Sequence, residues 1–237
     1  PRPAHPLLDR YNFGPVIDGH VLPAHPFDPG APALSDHVPI MIGGTKDEAS
    51  IFLAPDEAVW SRTVTEDDLR KRIAAVAGGA ADELLAYYKR RDPDASASDR
   101  LITALTASNF AVRSVLLAER KAARAKAPVW MYSFDWETPA FGGRLKSPHS
   151  MDVPFVFDTL HVIGEAHHKP RAQALADKVS KTWATFARTG DPNSDALPAW
   201  PAYADGRRAT MIFDDECRIV DDPDGEVRSL WGKVATG

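Results

Sequence analysis

The hydrophobic positions of this chain form short apolar runs separated by longer amphipathic stretches. Three runs have the length and the β-branched or aromatic content of buried strands, and they lie at 38–42, 129–134 and 210–213. The first run ends in Gly43-Gly44, which we interpret as a tight turn. A short helix is predicted directly afterwards, from Asp47 to Leu53, so the local order is strand, glycine-rich turn and helix.

Between the first and second predicted strands, apolar residues recur at helical spacing. Thr65 and Asp68 resemble a capping box that opens one helix, and Asp82 to Arg90 forms a second. Ser98 can cap a third, longer helix that runs to about Ala123. We interpret residues 64–124 as a helical, cap-like excursion from the sheet.

The remaining third of the chain returns to the alternation of strands and helices. Pro170 can start a helix with Gly190 as its C-cap, and Glu226 to Val234 forms a terminal helix. This alternation predicts an α/β fold with a mainly parallel sheet. Three strands are few for the amount of helix, so we expect part of the domain to lie outside the chain.

The composition excludes several classes of partner. The 237 residues carry a net charge of −5, which favours neither nucleic acid nor an anionic membrane surface. No apolar run approaches the ~20 residues that span a bilayer. The single cysteine, Cys217, forms no intrachain disulfide, and we interpret it as a small structural residue. A cytoplasmic location is expected, with secretion left open.

Chemistry-bearing side chains follow two of the predicted strands. The loop after the first strand presents Lys46, Asp47 and Glu48, and the loop after the second presents His149. Functional groups of open α/β sheets gather at such strand ends. An acid followed by a histidine matches the later part of the order serine, acid, histidine in α/β-hydrolases. From the residues alone, Asp47 competes with Glu48, and a solvated loop remains the alternative for each group.

Two segments around these residues resemble the type-B carboxylesterase family, which includes para-nitrobenzyl esterases, liver-type carboxylesterases and cholinesterases. Gly43–Phe52 is similar to the family's Gly-x-x-Lys/Arg-Asp-Glu-x-x-x-Phe, and His149–Phe157 to its His-x-x-Glu-x-Pro-Phe-Val-Phe. Further segments with the family's pattern are Phe13–Gly19 with Leu22-Pro23, Trp183–Asn193, Trp200–Tyr203 and Met211–Asp214. The resemblance implies an α/β-hydrolase fold in which Glu48 is the triad acid and His149 the base.

The chain departs from the family pattern at four positions around these motifs. Asp152 stands where the family usually has glutamate, and Ser150 replaces a glycine or alanine. Ala107 and Arg113 replace an acid and a proline on the pocket helix. Asp152 keeps the charge and Ser150 should fit, whereas Ala107 and Arg113 concern the shape of the acyl or alcohol pocket rather than the chemistry.

The nucleophile is the large departure. No serine has glycine two positions before and two after it, so the elbow that presents the triad serine is absent from these residues. Ser50, Ser147 and Ser150 lie near the predicted site, but none sits on a strand-to-helix elbow, and we reject them. The glycine-rich oxyanion-hole segment is absent as well.

The resemblance implies that residues 1–237 are the C-terminal half of a single domain, and that an N-terminal half supplies the serine and the oxyanion hole. The expected substrate is a small carboxylic ester, without cofactor or metal, and the chain alone should be inactive. A non-catalytic binding protein or an inactive fragment on the same fold is the alternative. The histidines His161, His167 and His168 fit no zinc spacing, and we reject a metal site there.

Overall fold

The computed structural model describes residues 15–164, 170–204, 206–223 and 225–236. Within them a four-stranded sheet has the order β1-β2-β3-β4. The strands are β1 (Ile40–Thr45), β2 (Val129–Phe134), β3 (Ala209–Phe213) and β4 (Arg218–Asp221). β1, β2 and β3 are parallel, and β4 returns antiparallel to β3. The prediction of a mainly parallel sheet is confirmed, but of the three predicted buried strands β1 is mostly only half-buried.

The expected turn at Gly43-Gly44 is wrong, because both glycines lie inside β1 and face β2. A Cβ on Gly43 would lie 2.2 Å from the main-chain oxygen of Tyr132, and one on Gly44 would lie 2.7 Å from Oε1 of Glu48. Glycine in a strand often marks such a close approach. The pair therefore lets β2 and the acid side chain come close to the strand instead of turning the chain.

Nine α-helices occupy the described residues, besides short 3₁₀ segments. They are α1 (Ala49–Leu53), α2 (Glu57–Trp60), α3 (Glu66–Ala77), α4 (Ala81–Arg91), α5 (Ala97–Thr106), α6 (Val112–Ala122), α7 (Val153–Val156), α8 (Pro170–Thr189) and α9 (Gly225–Thr236). α5 and α6 are continuous through a π-helical turn at Ala107–Ala111. The predicted helical excursion corresponds to α3 to α6.

One predicted cap is wrong and another is right. Thr65 accepts a hydrogen bond from the Asp68 amide at 3.2 Å, as expected for the start of α3. The cap of α5 is Ser96, whose hydroxyl accepts from the Asp99 amide at 3.1 Å. Ser98 instead lies in the first turn of α5 and is fully buried. Both Ser96 and Ser98 are suitable N-cap residues, so the sequence pattern alone does not show which of them starts α5.

The two larger hydrophobic cores of the described residues lie on different sets of helices. The first lies among α3, α4, α5 and α9 and is mostly aliphatic, with Leu69, Ile73, Leu84 and Leu101 fully buried. The second lies between the sheet, α7 and α8 and is rich in aromatic rings, including Phe134, Phe155, Trp200 and Phe213. Each fully buried side chain of this size contributes roughly 1.5–3 kcal/mol through the hydrophobic effect.

The continuous helix Ala97–Ala122 is an exception to the expectation that no segment has membrane-spanning length and hydropathy. It satisfies both criteria, and 44% of its apolar window is buried inside the protein. Leu101 and Ile102 pack into the aliphatic core, and Ala118 packs beneath Val129 of the sheet. A core helix passes the same test of length and composition, and these contacts account for the apolar positions.

Candidate active site

The acid of the predicted pair lies at the end of β1, where the strand gives way to α1. Glu48 is only 5% exposed. Its Oε1 accepts a hydrogen bond from the Thr45 amide at 2.8 Å. The first amide of α1, that of Ala49, donates to the hydroxyl of Thr106 at 3.0 Å, which ties the acid loop to the helical excursion. Glu48 is thus fixed from its own strand and from α5.

His149 follows β2 after a long loop and meets Glu48. The Nδ1 atom of His149 lies 2.5 Å from Oε2 of Glu48. The imidazole is 45% exposed, whereas the Glu48 side chain is 7% exposed. With a proton on Nδ1 directed at the carboxylate, the neutral ring keeps Nε2 as a proton acceptor. The structure therefore brings together the two residues that the sequence singled out, in the geometry that general-base chemistry requires.

Two phenylalanine rings flank the imidazole. The ring centroid of Phe52, on α1, lies 5.2 Å from that of His149, and the centroid of Phe110 lies 5.7 Å from it. The two phenylalanine rings are stacked on each other at 6.1 Å. Phe110 lies in the π-helical turn, a local widening that often occurs at functional sites. Phe52 belongs to the recognised motif, but no sequence pattern indicated Phe110, because a π-turn has no distinct hydrophobic period.

Asp47, the competing acid, points away from the imidazole. It is 3% exposed, and its Oδ2 accepts from the Ser147 amide at 3.4 Å. Burial raises the pKa of Asp47 from its usual 3.8 to about 6, while the positive charges of Lys146 and Lys46 act in the opposite direction. The geometry thus resolves the alternative in favour of Glu48 as the partner of His149.

Two of the three serines rejected as nucleophiles donate hydrogen bonds to main-chain oxygens. The Ser50 hydroxyl donates to the main-chain oxygen of Leu145 at 2.7 Å, and the Ser147 hydroxyl donates to that of Phe134 at 2.8 Å. Both serines are buried. Ser150 adopts a left-handed backbone conformation, with φ of 66°, immediately after His149. The hydroxyls of Ser50 and Ser147 therefore hold the histidine loop, and Ser150 lies in the turn that follows His149.

Asp152, which stands in place of the family's glutamate, accepts a hydrogen bond from the Tyr132 hydroxyl at 3.0 Å. Burial and the negative charge of Asp152 raise the pKa of Tyr132 well above its usual range. The carboxylate of the shorter side chain therefore still finds a donor on β2. Of the other departures, Ala107 is buried at the start of the π-helical turn and Arg113 is on the exposed surface.

A cavity of about 440 Å³ lies behind the acid, between the sheet and the helices α5, α6 and α9. Glu48 and Phe110 line one end of it, and Tyr203 and Arg208 line the other. Burial raises the pKa of Tyr203 to about 12, so its hydroxyl is neutral at physiological pH. The cavity borders the carboxylate rather than the exposed edge of the imidazole.

The histidines weighed as metal ligands lie only partly within the described residues. Among the described residues, no group of three or more histidine, cysteine, aspartate or glutamate side chains is placed to hold a metal ion. His161 is exposed in a short 3₁₀ turn, and His167 and His168 lie outside the described residues, as do Phe13 and Gly14 of the recognised motif. Cys217 is buried, which raises the pKa of its thiol.

An imidazole paired with a buried carboxylate, each carried on the connection that follows a parallel strand, is the arrangement of the α/β-hydrolase class. Comparison with known proteins narrows this class. The sequence description of the carboxylesterase family matches residues 5–228. The chain belongs to the carboxylesterase family and has the α/β-hydrolase fold.

Individual relatives agree with this assignment. The para-nitrobenzyl esterase of Bacillus subtilis is 32% identical over 221 residues, which are 91% of this chain and 42% of that protein. The phenmedipham hydrolase of Pseudarthrobacter oxydans is 29% identical over 89% of this chain and 43% of its own length. The crystal structure of the Geobacillus stearothermophilus carboxylesterase EST55 superimposes with a TM-score of 0.76 at 37% identity, covering 92% of this chain and 45% of that one. The chain thus spans less than half the length of each of these relatives.

Proposed function

We propose that this chain is the acid- and histidine-bearing part of a serine carboxylesterase, with Glu48 and His149 as two members of its triad. The observation that carries the proposal is the 2.5 Å contact between Oε2 of Glu48 and Nδ1 of His149, with a buried carboxylate and an exposed imidazole. This asymmetry suits a base that exchanges protons with a reacting group on one side and is held on the other.

The chemistry follows from the two roles. A serine hydroxyl attacks the ester carbonyl while its proton passes to Nε2 of His149, and the carboxylate of Glu48 stabilises the imidazolium that forms. The imidazolium then gives that proton to the departing alcohol, which leaves an acyl-serine. Water attacks the acyl group through the same base, so the acid is released and the serine is restored. This sequence of steps calls for no cofactor and no metal.

The serine in this proposal comes from polypeptide that is not among these 237 residues, because none of their serines stands in a Gly-x-Ser-x-Gly elbow. The relatives, more than twice as long as the matched region, support the presence of such a part. We therefore propose an N-terminal half of the same enzyme as the partner that supplies the nucleophile and the oxyanion hole. The substrate class is a small carboxylic ester, as the name of the para-nitrobenzyl esterase suggests.

The test is hydrolysis of an activated ester such as para-nitrophenyl acetate by this chain together with the serine-bearing polypeptide. In this assembly His149→Ala should lower kcat by about 10⁶-fold, since the serine then has no base. His161→Ala, which removes an exposed histidine from a 3₁₀ turn, should leave kcat unchanged. Equal activity of His149→Ala and the unaltered protein would refute the assignment of the base. A non-catalytic binding protein would show no triad-dependent hydrolysis in either form.

A further inference from the structure

The segment Arg144–Ser147, which leads into His149, is held in part by residues of the acid side and in part by Arg62, which donates to the Arg144 main-chain oxygen at 2.7 Å. This segment belongs to a loop without regular strand or helix pairing, in which Phe141 and Lys146 have φ near 53° and Gly142 and Gly143 are also left-handed. Such a loop does not fix the direction of a side chain by itself. The position of the imidazole therefore depends on what grips the segment before it.

Asp47 makes two of the contacts. Its amide donates to the Ser147 main-chain oxygen at 2.9 Å, and its carboxylate accepts from the Ser147 amide at 3.4 Å. Both polar groups of the Ser147 backbone are thus paired with one residue, which is itself adjacent to Glu48. The acid that contacts His149 and the group that grips its loop are consecutive in sequence.

Ser50 makes the third contact, one turn further along α1. Its hydroxyl donates to the main-chain oxygen of Leu145 at 2.7 Å. The Ser147 hydroxyl closes the arrangement from the other side by donating to the main-chain oxygen of Phe134, which also accepts from the Lys46 amide at 2.9 Å. Asp47, Ser50 and Ser147 are all at most 3% exposed, so water does not compete for these bonds.

We propose that Asp47 and Ser50 are positioning residues, which clamp Leu145 and Ser147 so that His149 stays in register with Glu48 and with the serine. We call the four residues Asp47, Ser50, Leu145 and Ser147 the histidine-loop clamp. The inference rests on the proposed esterase function and extends it. It also assigns one role, that of holding the histidine loop, to Asp47, Ser50 and Ser147, which take no part in the proposed ester hydrolysis.

The clamp requires a hydrogen-bond acceptor at Asp47 rather than a charge. The carboxylate faces Lys46 and Lys146 and, more distantly, Glu137, and it is buried. An amide of the same shape could accept from the Ser147 amide through its oxygen. Asp47→Asn should therefore preserve the clamp, whereas Asp47→Ala should remove the side-chain contact and leave the Ser147 amide unpaired.

Kinetics of the assembled esterase give the first test. Misplacement of a catalytic group by about 1 Å can lower the rate about 10²-fold. We expect Asp47→Ala to lower kcat roughly 10- to 100-fold and Ser50→Ala roughly 3- to 10-fold, both with KM nearly unchanged, and Asp47→Asn to stay within about 3-fold of the unaltered enzyme. Asp135→Ala is the matched control. This carboxylate also lies at the end of β2 with its pKa raised by burial, but it accepts from Ser133 instead of the histidine loop.

The imidazole itself gives the second test, independent of ester hydrolysis. In the same assembly with ¹⁵N-labelled histidine, the proton on Nδ1 of His149 should resonate far downfield because of its short contact with Glu48. That resonance should persist in Asp47→Asn and weaken or vanish in Asp47→Ala and Ser50→Ala. If Asp47→Ala does not fold, Ser50→Ala carries both measurements.

The outcomes separate the two proposals. An unaltered kcat and an unaltered Nδ1 resonance in both Ser50→Ala and Asp47→Ala would overturn the clamp, even if His149→Ala is inactive. Loss of activity in Asp47→Asn equal to that in Asp47→Ala would also overturn it, because the charge and not the acceptor would then matter. An inactive assembly in which the resonance still depends on Asp47 and Ser50 would refute the esterase and keep the clamp.

Discussion

The acid loop and the histidine loop meet at one contact, but they are built in opposite ways. Glu48 lies three residues after β1 and immediately before α1, and it is 5% exposed with its carboxylate held by a backbone amide. His149 follows a long irregular loop, and its ring is 45% exposed. The strand and helix on either side fix the position of Glu48. The position of His149 depends instead on contacts that its loop makes with the acid loop.

This difference matches the demands on the two groups. A carboxylate that only stabilises an imidazolium works best where water is excluded, because the interaction between charges is stronger there. An imidazole that accepts and returns a proton must reach the reacting atoms, so it cannot be enclosed to the same degree. The acid loop therefore shields its carboxylate from water, and the histidine loop leaves its imidazole accessible to the reacting atoms.

The change that separates the loops most sharply is Glu48→Gln. The amide would keep the bond from the Thr45 amide, but its NH₂ group would face Nδ1 of His149 and favour the tautomer with the proton on Nε2. That tautomer cannot accept the serine proton, so we expect kcat of the assembled esterase to fall about 10⁴-fold. The same exchange at the neighbouring carboxylate, Asp47→Asn, is the control. A fall of less than tenfold in Glu48→Gln would contradict the role of the acid.

A second prediction concerns the cost of burying charge in the acid loop. The pKa of Asp47 is raised from 3.8 to about 6 in the folded protein, so its contribution to stability is fully present below pH 3.8 and is lost as the pH rises through about 6. The size of this loss is about 3 kcal/mol. The free energy of unfolding of the unaltered protein, minus that of Asp47→Asn, should fall by this order between pH 3.5 and 7.

Denaturant unfolding at a series of pH values measures this difference. The subtraction matters because carboxylates with lowered pKa values, such as Asp99 and Asp56, make stability rise with pH over part of the same range. Asp47→Asn leaves those groups in place, so their contributions cancel. A difference that does not change with pH would show that Asp47 is not buried as described.

The third prediction tests why the acid strand contains glycine. Gly43→Ala would place a methyl group 2.2 Å from the main-chain oxygen of Tyr132, and a strand backbone cannot move aside at little cost. We expect the free energy of unfolding to fall by about 1–3 kcal/mol. Gly79→Ala is the control, since nothing lies within 4 Å of its Cβ position. Equal stability of the two variants would mean that β1 and β2 are less closely paired than the register indicates.

Much of the acid side could be predicted from sequence, because it is local. β1, Glu48 and α1 are consecutive, and a strand end followed by a helix start leaves a readable pattern. The sequence pattern did not show that Gly43 lies inside the strand. Glycine is required there because Tyr132 approaches from a strand far along the chain. A glycine pair after an apolar run looks the same in a turn as in a crowded strand.

Less of the histidine side could be predicted from sequence, because contacts between distant segments determine its structure. Phe110 reaches His149 only because a π-helical turn interrupts the long helix, and the grip of Asp47 and Ser50 on the histidine loop is entirely tertiary. β4 was also missed, since Arg218 and Asp221 leave it only a two-residue apolar centre. Contacts between distant segments decide these features, and they leave no local period in the sequence.

The smallest expected effect lies on the histidine side, at Tyr132. Tyr132→Phe removes the hydroxyl that donates to Asp152 but keeps the ring between Trp183 and Phe213, whose centroids lie 5.0 and 6.0 Å away. We expect a loss of about 1 kcal/mol in the free energy of unfolding, the usual worth of one hydrogen bond. Because Asp152 is partly exposed, water can replace the lost donor, and kcat should change by less than about 3-fold. Unfolding and kinetics of the variant, compared with Ser50→Ala, then rank the two supports of the loop. A larger loss of kcat in Tyr132→Phe than in Ser50→Ala would mean that His149 is held from the residues after it, and that the acid loop does not set its position.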